Sequence, residues 1–175
     1  MAREKIDFND LSPRVFHLWN EQWLLLASGE NAPGKFNIMT VGWGSLGTMW
    51  AKPFALAVVR PSRHTYGFMN DSDTFTLSAF PPAYRDALLM CGTKSGRDTN
   101  KVAESGLTPI ASTRVEAPGF EEADLIIECK KIYFDDFKPA QFLAPEIEDT
   151  YGGSDYHRMF FGEVLAIRGE EKYCK

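Results

Sequence analysis

The run Arg60-Pro61-Ser62-Arg63-His64-Thr65 places two guanidinium groups and two hydroxyls within six residues. It lies between a predicted strand and a predicted helix, so backbone N–H groups at the helix start can join the side chains. Arginines, hydroxyls and such N–H groups are the donors that bind a phosphomonoester. Residues 31–70 contain no Asp or Glu, although the chain carries a net charge of −5. The run therefore predicts an anion site, with a solvated, N-capped turn as the alternative.

The loop over residues 92–101 contains further donors for an anion. Ser95 and Gly96 offer N–H groups that can form an anion-binding nest, and Lys101 can reach a phosphate as a point charge. Taken alone, this composition is typical of an ordinary exposed loop. Ser95 and Lys101 are therefore candidates that depend on the first run.

The glycines of residues 41–47, VGWGSLG, have the G-x-G-x-x-G spacing of a dinucleotide-binding turn. That motif needs a helix directly after it and an acidic residue about 20 positions later. Here Pro53 and a β-branched run follow, and no acid occurs before Asp71. Residues 29–36 match a P-loop only as far as Lys35, because Phe36 stands where a magnesium-binding hydroxyl is needed. Both motifs are rejected.

The same glycines suit another ligand when they are read with their neighbours. Small residues let a flat ring lie close to the backbone, and Asn or Thr side chains add polar contacts. A tryptophan can supply a wall or a stacking face. The candidates for such a ring site are Asn37, Met39, Thr40 and Trp43. A bent strand pair with a core tryptophan is the alternative.

The remaining chemistry is weaker. His17, His64 and His157 have no ligand spacing to one another, so no metal site is predicted. Residues 155–158, DYHR, form a polar cluster before a strand that either touches a ligand or has a structural or interface role. No catalytic nucleophile and no acid–base pair can be identified.

Composition limits the class of protein. Hydrophobic residues make up 44% of the 175 residues, enough for a packed core. No apolar run approaches the roughly 20 residues of a membrane span, and the N-terminus has no signal-peptide pattern. The basic residues in the acid-free stretch 31–70 cover too small an area for a nucleic-acid surface. The cysteines are widely spaced without a CxxC motif, which predicts reduced thiols in a cytoplasmic protein.

Periodicity and turn residues predict the elements that position these candidates. We expect helices over 13–28, 65–70, 82–89 and 100–105, and strands over 36–41, 53–59, 74–80, 123–133 and 157–167. Many strands with few long helices favour a β-barrel with helical additions, in a single domain spanning 1–175.

Six runs, in order along nearly the whole chain, carry a family resemblance: PRVFHLWNEQWLLLASG, FNIMTVGWGSLGTMWAKP, VVRPSRHTY, CGTKSGRDTNK, LIIECKKIY and DYHRMFFGEV. They resemble the flavin reductase-like family, and within it the flavoredoxin-type proteins of the FMN-binding split-barrel superfamily. The resemblance implies a mainly β (α+β) split barrel of Greek-key type with a few peripheral helices. It also implies bound FMN and a homodimer.

The resemblance also assigns site residues. The isoalloxazine segment of the family falls on Asn37, Met39, Thr40 and Trp43. Its phosphate segment falls on four more residues, with two expected to join it: Arg60, Ser62, Arg63 and Thr65, then Ser95 and Lys101. No general acid or base is carried over.

The activity that the resemblance implies is that of a flavin reductase-type oxidoreductase. Hydride would pass from NAD(P)H to flavin N5, or electrons would be relayed through bound FMN to a redox partner protein. The alternatives are a non-catalytic FMN carrier or sensor, and an interaction module that has lost its ligand. Neither nucleic acid nor a membrane is expected as a partner.

Overall fold

A computed structural model describes residues 3–175. Its main sheet is antiparallel, in the order β3-β2-β6-β9-β10-β5-β4, and β1 also pairs with β10. A separate pair joins β7 and β8. The strands are β1 (Glu4–Lys5), β2 (Leu24–Gly29), β3 (Phe36–Val41), β4 (Gly44–Met49), β5 (Lys52–Val59), β6 (Thr74–Ala79), β7 (Pro109–Ile110), β8 (Gly119–Phe120), β9 (Leu125–Asp136) and β10 (Arg158–Gly169).

The helices are short and connect the strands. They are α1 (Val15–His17), which continues as a π-helical segment (Leu18–Gln22), α2 (His64–Asp71), α3 (Arg85–Thr93), α4 (Lys101–Ser105) and α5 (Pro145–Asp149). Single 3₁₀ turns lie at Pro82–Tyr84, Pro139–Gln141 and Glu171–Tyr173. The prediction of a mainly β protein with a few helices is confirmed.

The two long central strands, β9 and β10, organise the core. Their register shifts at Phe161/Gly162 and again at Val164/Ala166, and such bulges bend and twist a strand pair. Gly162 permits a close contact, because a Cβ there would lie 2.5 Å from the ring of Phe75. Phe75 and Phe160 are fully buried. The bent strands thus fold over large aromatic side chains.

The predicted helix over 13–28 is wrong beyond residue 22. The helical segment ends at Gln22, and Trp23 has a φ of 64°. Residues Leu24–Gly29 form β2, in which every residue is buried between β3 and β6. A strand buried on both faces has a continuous apolar sequence, so its periodicity does not separate it from a buried helix.

Strand β4 was absent from the sequence prediction. It pairs with β5 along its whole length, from Gly44 opposite Ala57 to Met49 opposite Lys52. The turn of this hairpin contains Trp50 and Ala51, with φ values of 53° and 56°. Positive φ at both central residues is the geometry of a type I′ turn, which usually carries Asn-Gly. The usual sequence signal for a hairpin is therefore missing here.

Candidate functional site

Strand β3, through Met39, and four further segments meet around a cavity of about 460 Å³, here named the cationic cavity. The four are the β5–α2 junction, the end of α3 with the loop after it, the start of α4 and the residues before β10. The lining residues are Met39, Arg60, Ser62, Arg63, His64, Thr65, Thr93, Lys94, Ser95, Gly96, Lys101 and Asp155. All six residues predicted for phosphate binding are among them. Segments far apart in sequence thus converge on one site.

Lys101 is the buried cation of this cavity. Its side chain lies at the start of α4, and its Nζ donates to the carbonyls of Ile38 (3.0 Å) and Cys91 (2.7 Å). Burial lowers its pKa. Among residues 3–175, no carboxylate forms an ion pair with it. An ammonium group has three donors, so one remains for an anion in the cavity.

Asn37 joins β3 to helix α2. Its Nδ2 donates to Oγ1 of Thr65 at 2.8 Å, and both residues are buried. A Cβ on Gly96 would lie 2.2 Å from Oδ1 of Asn37, so only glycine lets the 94–100 loop come this close. The polar contacts of Asn37 therefore lie on the cationic side of the site. Thr65 accepts this bond and keeps its own hydroxyl proton for another acceptor.

Asp155 is the acidic residue of the cationic cavity. Its carboxylate accepts from the N–H of Ser62 (2.9 Å) and from Ser62 Oγ (2.6 Å). Arg60 Nη1 lies 3.8 Å from the same carboxylate. The structure thus brings a carboxylate to two donors that the sequence assigned to phosphate.

Two further guanidinium groups border the cavity through backbone contacts. Arg63 Nη1 donates to the carbonyl of Gly92, and Arg97 Nη1 to the carbonyl of Ser62, each at 3.0 Å. The Ser95 hydroxyl accepts from the N–H of Arg97. Burial, followed by the nearby charges of Arg97 and Lys101, lowers the pKa of His64. The rim is therefore strongly positive.

A second cavity of about 220 Å³, here named the Trp43 cavity, adjoins the first. The two share Met39, Arg60 and Arg63. The other lining residues are Thr40, Val41, Gly42, Trp43, Val58 and His157. Three of the four residues predicted for the ring site thus line it, and Asn37 does not. The hydroxyl of Thr40 donates to the carbonyl of Leu88 at 2.5 Å, so its proton is used to hold α3.

His157 contacts Trp43 in the lining of this second cavity. The two ring centroids lie 5.2 Å apart, and the Trp43 side chain is half exposed. His157 Nδ1 shares a 2.9 Å hydrogen bond with the hydroxyl of Tyr151. Burial, and then the nearby Arg60, lower the pKa of His157 to about 4. The imidazole is therefore neutral at pH 7.

The glycines of residues 42–47 pack closely in a strand pair, as in the alternative interpretation of this run, but the core tryptophan beside them is Trp19 and not Trp43. A Cβ at Gly44 would lie 2.2 Å from the carbonyl oxygen of Leu56 and 2.4 Å from the Trp19 ring. Gly47 faces the ring of Phe54 in the same way, at 3.1 Å. Only Gly42 of the three lines the Trp43 cavity. The close approach at Gly44 thus serves the protein's own core.

The sequence left two residues of the site without a role. Residue types place Asp155 and His157 in the polar 155–158 cluster, and His157 also among the histidines without metal-ligand spacing, while no prediction covers Tyr151. The signal that could have found them is the position of this cluster just before β10, which pairs with β5. Because β5 ends at Val59, directly before Arg60, the residues before β10 must lie close to residues 60–65.

The described residues contain neither a metal-binding cluster nor a membrane-spanning helix. Within residues 3–175, no three His, Cys, Asp or Glu side chains are grouped as a metal ion would need. In the same range, no helix has the length and apolar character for crossing a membrane. Cys91, Cys129 and Cys174 are free thiols. Burial raises the pKa of the Cys91 thiol to about 11, which makes it a poor nucleophile.

Comparison with solved structures shows the fold class. The chain resembles flavoredoxin of Desulfovibrio vulgaris (Miyazaki F), with a TM-score of 0.67 and 21% identity, covering 97% of this chain and 78% of that one. A flavoredoxin from Methanosarcina acetivorans gives 0.67 and 22%, with coverages of 98% and 78%. An FMN-binding protein from Thermus thermophilus gives 0.67 and 20%, with coverages of 89% and 74%. The predicted split-barrel fold is thereby confirmed.

Comparison of sequences gives the family. An uncharacterized protein of Pyrococcus abyssi is 27% identical over 137 residues, which is 78% of this chain and 67% of that protein. Residues 22–173 match the flavin reductase like domain. The match covers most of the strands and both cavities. The chain therefore belongs to the flavin reductase-like family.

Proposed function

We propose that this protein is an FMN-binding flavoprotein oxidoreductase of the flavin reductase type. The observation that carries the proposal is the pair of adjoining cavities with different chemistry. The cationic cavity offers Arg60, Arg63 and a buried Lys101, which suit a phosphate. The Trp43 cavity offers an aromatic wall and a neutral imidazole, which suit an uncharged ring system.

The residues present fit the two ends of FMN. Lys101 has a donor left and no carboxylate ion pair among the described residues, so a phosphate dianion would supply the missing countercharge. Arg63 borders both cavities. It would therefore bind FMN at the boundary between the phosphate and the ring. Met39 lies between the two ends and would contact the chain that links them. Bound flavin supplies two-electron chemistry at its N5 position.

The roles of the protein's own residues follow from this placement. Trp43 would cover one edge of the ring and exclude water from it. His157 stays neutral at pH 7, so it can exchange hydrogen bonds with the ring or with a second substrate without adding charge. Tyr151 orients this imidazole through its hydroxyl. These are positioning roles, and no residue is assigned as a proton donor.

Family membership supports the wider proposal. NADH or NADPH would act as hydride donor, or a redox protein would exchange electrons with the flavin. Assembly as a homodimer and a cytoplasmic location belong to the same proposal. The family includes oxidoreductases, and the structures similar to this chain include an FMN-binding protein and a flavoredoxin.

The test uses purified protein and visible absorption. We expect a yellow protein, or one that becomes yellow with added FMN, and bleaching by NADH or NADPH under anaerobic conditions. Bleaching by neither nucleotide, but by a reduced ferredoxin-type donor, would support electron relay. Bound FMN that no donor reduces would support the carrier or sensor. A protein that stays colourless with excess FMN would overturn the proposal.

A further inference from the structure

A large cavity lies between the N-terminal helical segment and the start of α3. Its volume is about 640 Å³, within the usual size of small-molecule pockets, roughly 300–1,000 Å³. Its walls come from residues 12–22, residues 80–88 and residues 172–173, with Asp124 between them. We name it the N-terminal cleft. Among the described residues, none lines both this cleft and the cationic or Trp43 cavity.

The floor of the cleft consists of polar groups that bond to one another. The buried Tyr173 donates its hydroxyl proton to Asp124 Oδ1 at 2.8 Å. Gln22 Nε2 donates to the Tyr173 hydroxyl at 2.9 Å and to the carbonyl of Phe80 at 3.0 Å. Lys172 Nζ donates to the other oxygen of Asp124 and forms an ion pair with it. The buried carboxylate is thus neutralised by the protein, and a ligand needs no charge at its inner end.

The walls above this floor are apolar. Leu18, Phe80 and Leu88 line the cleft and are almost fully buried. Three prolines also line it, namely Pro13, Pro81 and Pro82. Aromatic and proline rings are stiff and present flat faces without side-chain hydrogen-bonding groups. The walls therefore suit the flat, apolar body of a ligand.

Guanidinium groups lie at the solvent-exposed mouth of the cleft. Arg14 and Arg85 are exposed lining residues, and neither forms an ion pair with a carboxylate among residues 3–175. Arg85 is held in place, because it lies over the Trp23 ring and donates to the backbone carbonyl of Glu21. The Glu21 carboxylate, which accepts from Asn20, is the acid at this mouth. Two guanidinium groups against one acid favour an anion that accepts a planar pair of hydrogen bonds, such as a carboxylate.

We propose that the N-terminal cleft binds a small organic carboxylate with a flat, apolar body, such as an aromatic acid. The body would lie on the neutral floor, between Phe80, Leu88 and the prolines. The carboxylate would bind Arg14 and Arg85 at the mouth. A nucleotide suits the cleft less well, because its several phosphate charges would lie beside Glu21. The cleft is separate from the flavin site, so this inference does not rest on the function proposed above.

Helix α3 makes the cleft a neighbour of the Trp43 cavity. Leu88 lines the cleft with its side chain, and its carbonyl accepts from the hydroxyl of Thr40, which lines the Trp43 cavity. Because no described residue lines both cavities, a carboxylate and a flavin can bind at the same time. The two sites can therefore be distinguished by measuring carboxylate binding with and without FMN.

The experiment is isothermal titration calorimetry with naphthoate and with its uncharged analogue naphthamide, in the presence of excess FMN. In wild type we expect naphthoate to bind about tenfold more tightly, because only the carboxylate forms charge-assisted hydrogen bonds. Arg14→Gln should weaken naphthoate binding by about fivefold and change naphthamide binding by less than about twofold. Arg114→Gln, at an exposed arginine outside the cleft, is the matched control and should change neither.

A second variant tests the location. Ser12 is exposed and lines the cleft, and its backbone N–H donates to the carbonyl of Tyr173, a bond that any side chain permits. Ser12→Trp should place an indole in the cleft and weaken the binding of both naphthalene compounds by about tenfold. Ser154→Trp, at an exposed serine that lines none of these cavities, should change neither. Far-UV circular dichroism checks that both variants are folded.

The outcomes decide between this cleft and other sites. Equal affinities of wild type for naphthoate and naphthamide, or no binding of either, would overturn the proposal. Unchanged binding in Ser12→Trp would show that the carboxylate binds elsewhere. Naphthoate that binds only without FMN would occupy the flavin site, which also contradicts the proposal. A protein that binds naphthoate with the expected variant effects but does not bind FMN would support the cleft and contradict the proposed function.

Discussion

Two residues of opposite charge set the electrostatics of the cationic cavity. Lys101 brings a buried ammonium group held by two carbonyls. Asp155 brings a carboxylate held by both donors of Ser62. A phosphate entering the cavity would be attracted by the first and repelled by the second. Single substitutions near these residues should therefore change phosphate affinity in either direction.

Arg63 provides the first test, because it borders both the cationic and the Trp43 cavities. A charge-assisted hydrogen bond is worth roughly 1.5–3 kcal/mol. Arg63→Ala should therefore weaken FMN binding by about tenfold to a hundredfold, while riboflavin, which lacks the phosphate, should bind nearly as before. Titrations of both ligands measure this, with Arg114→Ala, at an exposed arginine outside both cavities, as the control. Equal losses for both ligands would show that the bond to the Gly92 carbonyl makes Arg63 structural.

Asp155 should give the opposite result. Asp155→Asn removes a negative charge but keeps an acceptor for the N–H of Ser62, and Asn tolerates the φ of 56° found there. FMN should bind about tenfold more tightly, because the charged groups that then face the phosphate are all positive. Riboflavin affinity should stay within twofold. Weaker FMN binding in this variant would mean that Asp155 holds Ser62 in its binding position.

At the scale of elements, the sequence predicted most strands because their patterns are local. Residues 74–80 alternate between polar and apolar side chains, and β6 occupies Thr74–Ala79. Asn100 and Gly106 likewise bracket α4 as predicted, with Asn100 accepting from the N–H of Ala103 and Gly106 at a φ of 68°. Caps and turns are local chemistry, which sequence reasoning can find.

The elements that escaped prediction depend on tertiary contacts. Strand β2 is mostly apolar because both of its faces are buried, and no local signal shows that. The candidate site divides in the same way. The cationic run and Lys101 were found from residue types, whereas His157 reaches the site only because β10 pairs with β5. The polar residues 155–158 are common types, and their sequence does not show that β10 will pair with β5 and bring them to the site.

The connection between β9 and β10 should make stability depend on pH through His157. Its pKa of about 4 lies below the ordinary histidine value of 6.5, so between these values the unfolded chain binds a proton that the folded chain does not. The free energy of unfolding should then fall as the pH falls from about 6.5 to 4, by up to about 3 kcal/mol, and level off below pH 4. Urea unfolding of wild type and His157→Gln at several pH values measures this. Parallel pH curves for the two proteins would contradict it.

At the scale of the whole molecule, an aromatic surface supports the proposed homodimer. Trp50 and Tyr133 are each exposed by about half, and both contact Phe161. Contiguous exposed aromatic residues mark interaction surfaces in soluble proteins. The surface spans β9, β10 and the β4–β5 turn. It is therefore built on the rigid central sheet.

Light scattering at micromolar concentration should give twice the mass of one chain for the FMN-bound protein. Trp50→Asp would bury a charge in the interface, so the dissociation constant of the dimer should rise at least tenfold. Leu143→Asp, at a fully exposed leucine in the connection between β9 and β10, should leave the dimer intact. A wild-type monomer with FMN still bound would contradict the homodimer.

The buried ammonium group of Lys101 makes the stability of the protein depend on a bound phosphate. A desolvated ammonium without an ion pair among the described residues destabilises the fold, and a bound phosphate removes that cost. Helix α4 and the 94–100 loop, which Lys101 anchors to β3 and α3, are then the parts that open first in a chain without ligand. Such openings are where proteases cut. Loss of the cofactor would therefore shorten the half-life of the protein, and cofactor supply would set its abundance.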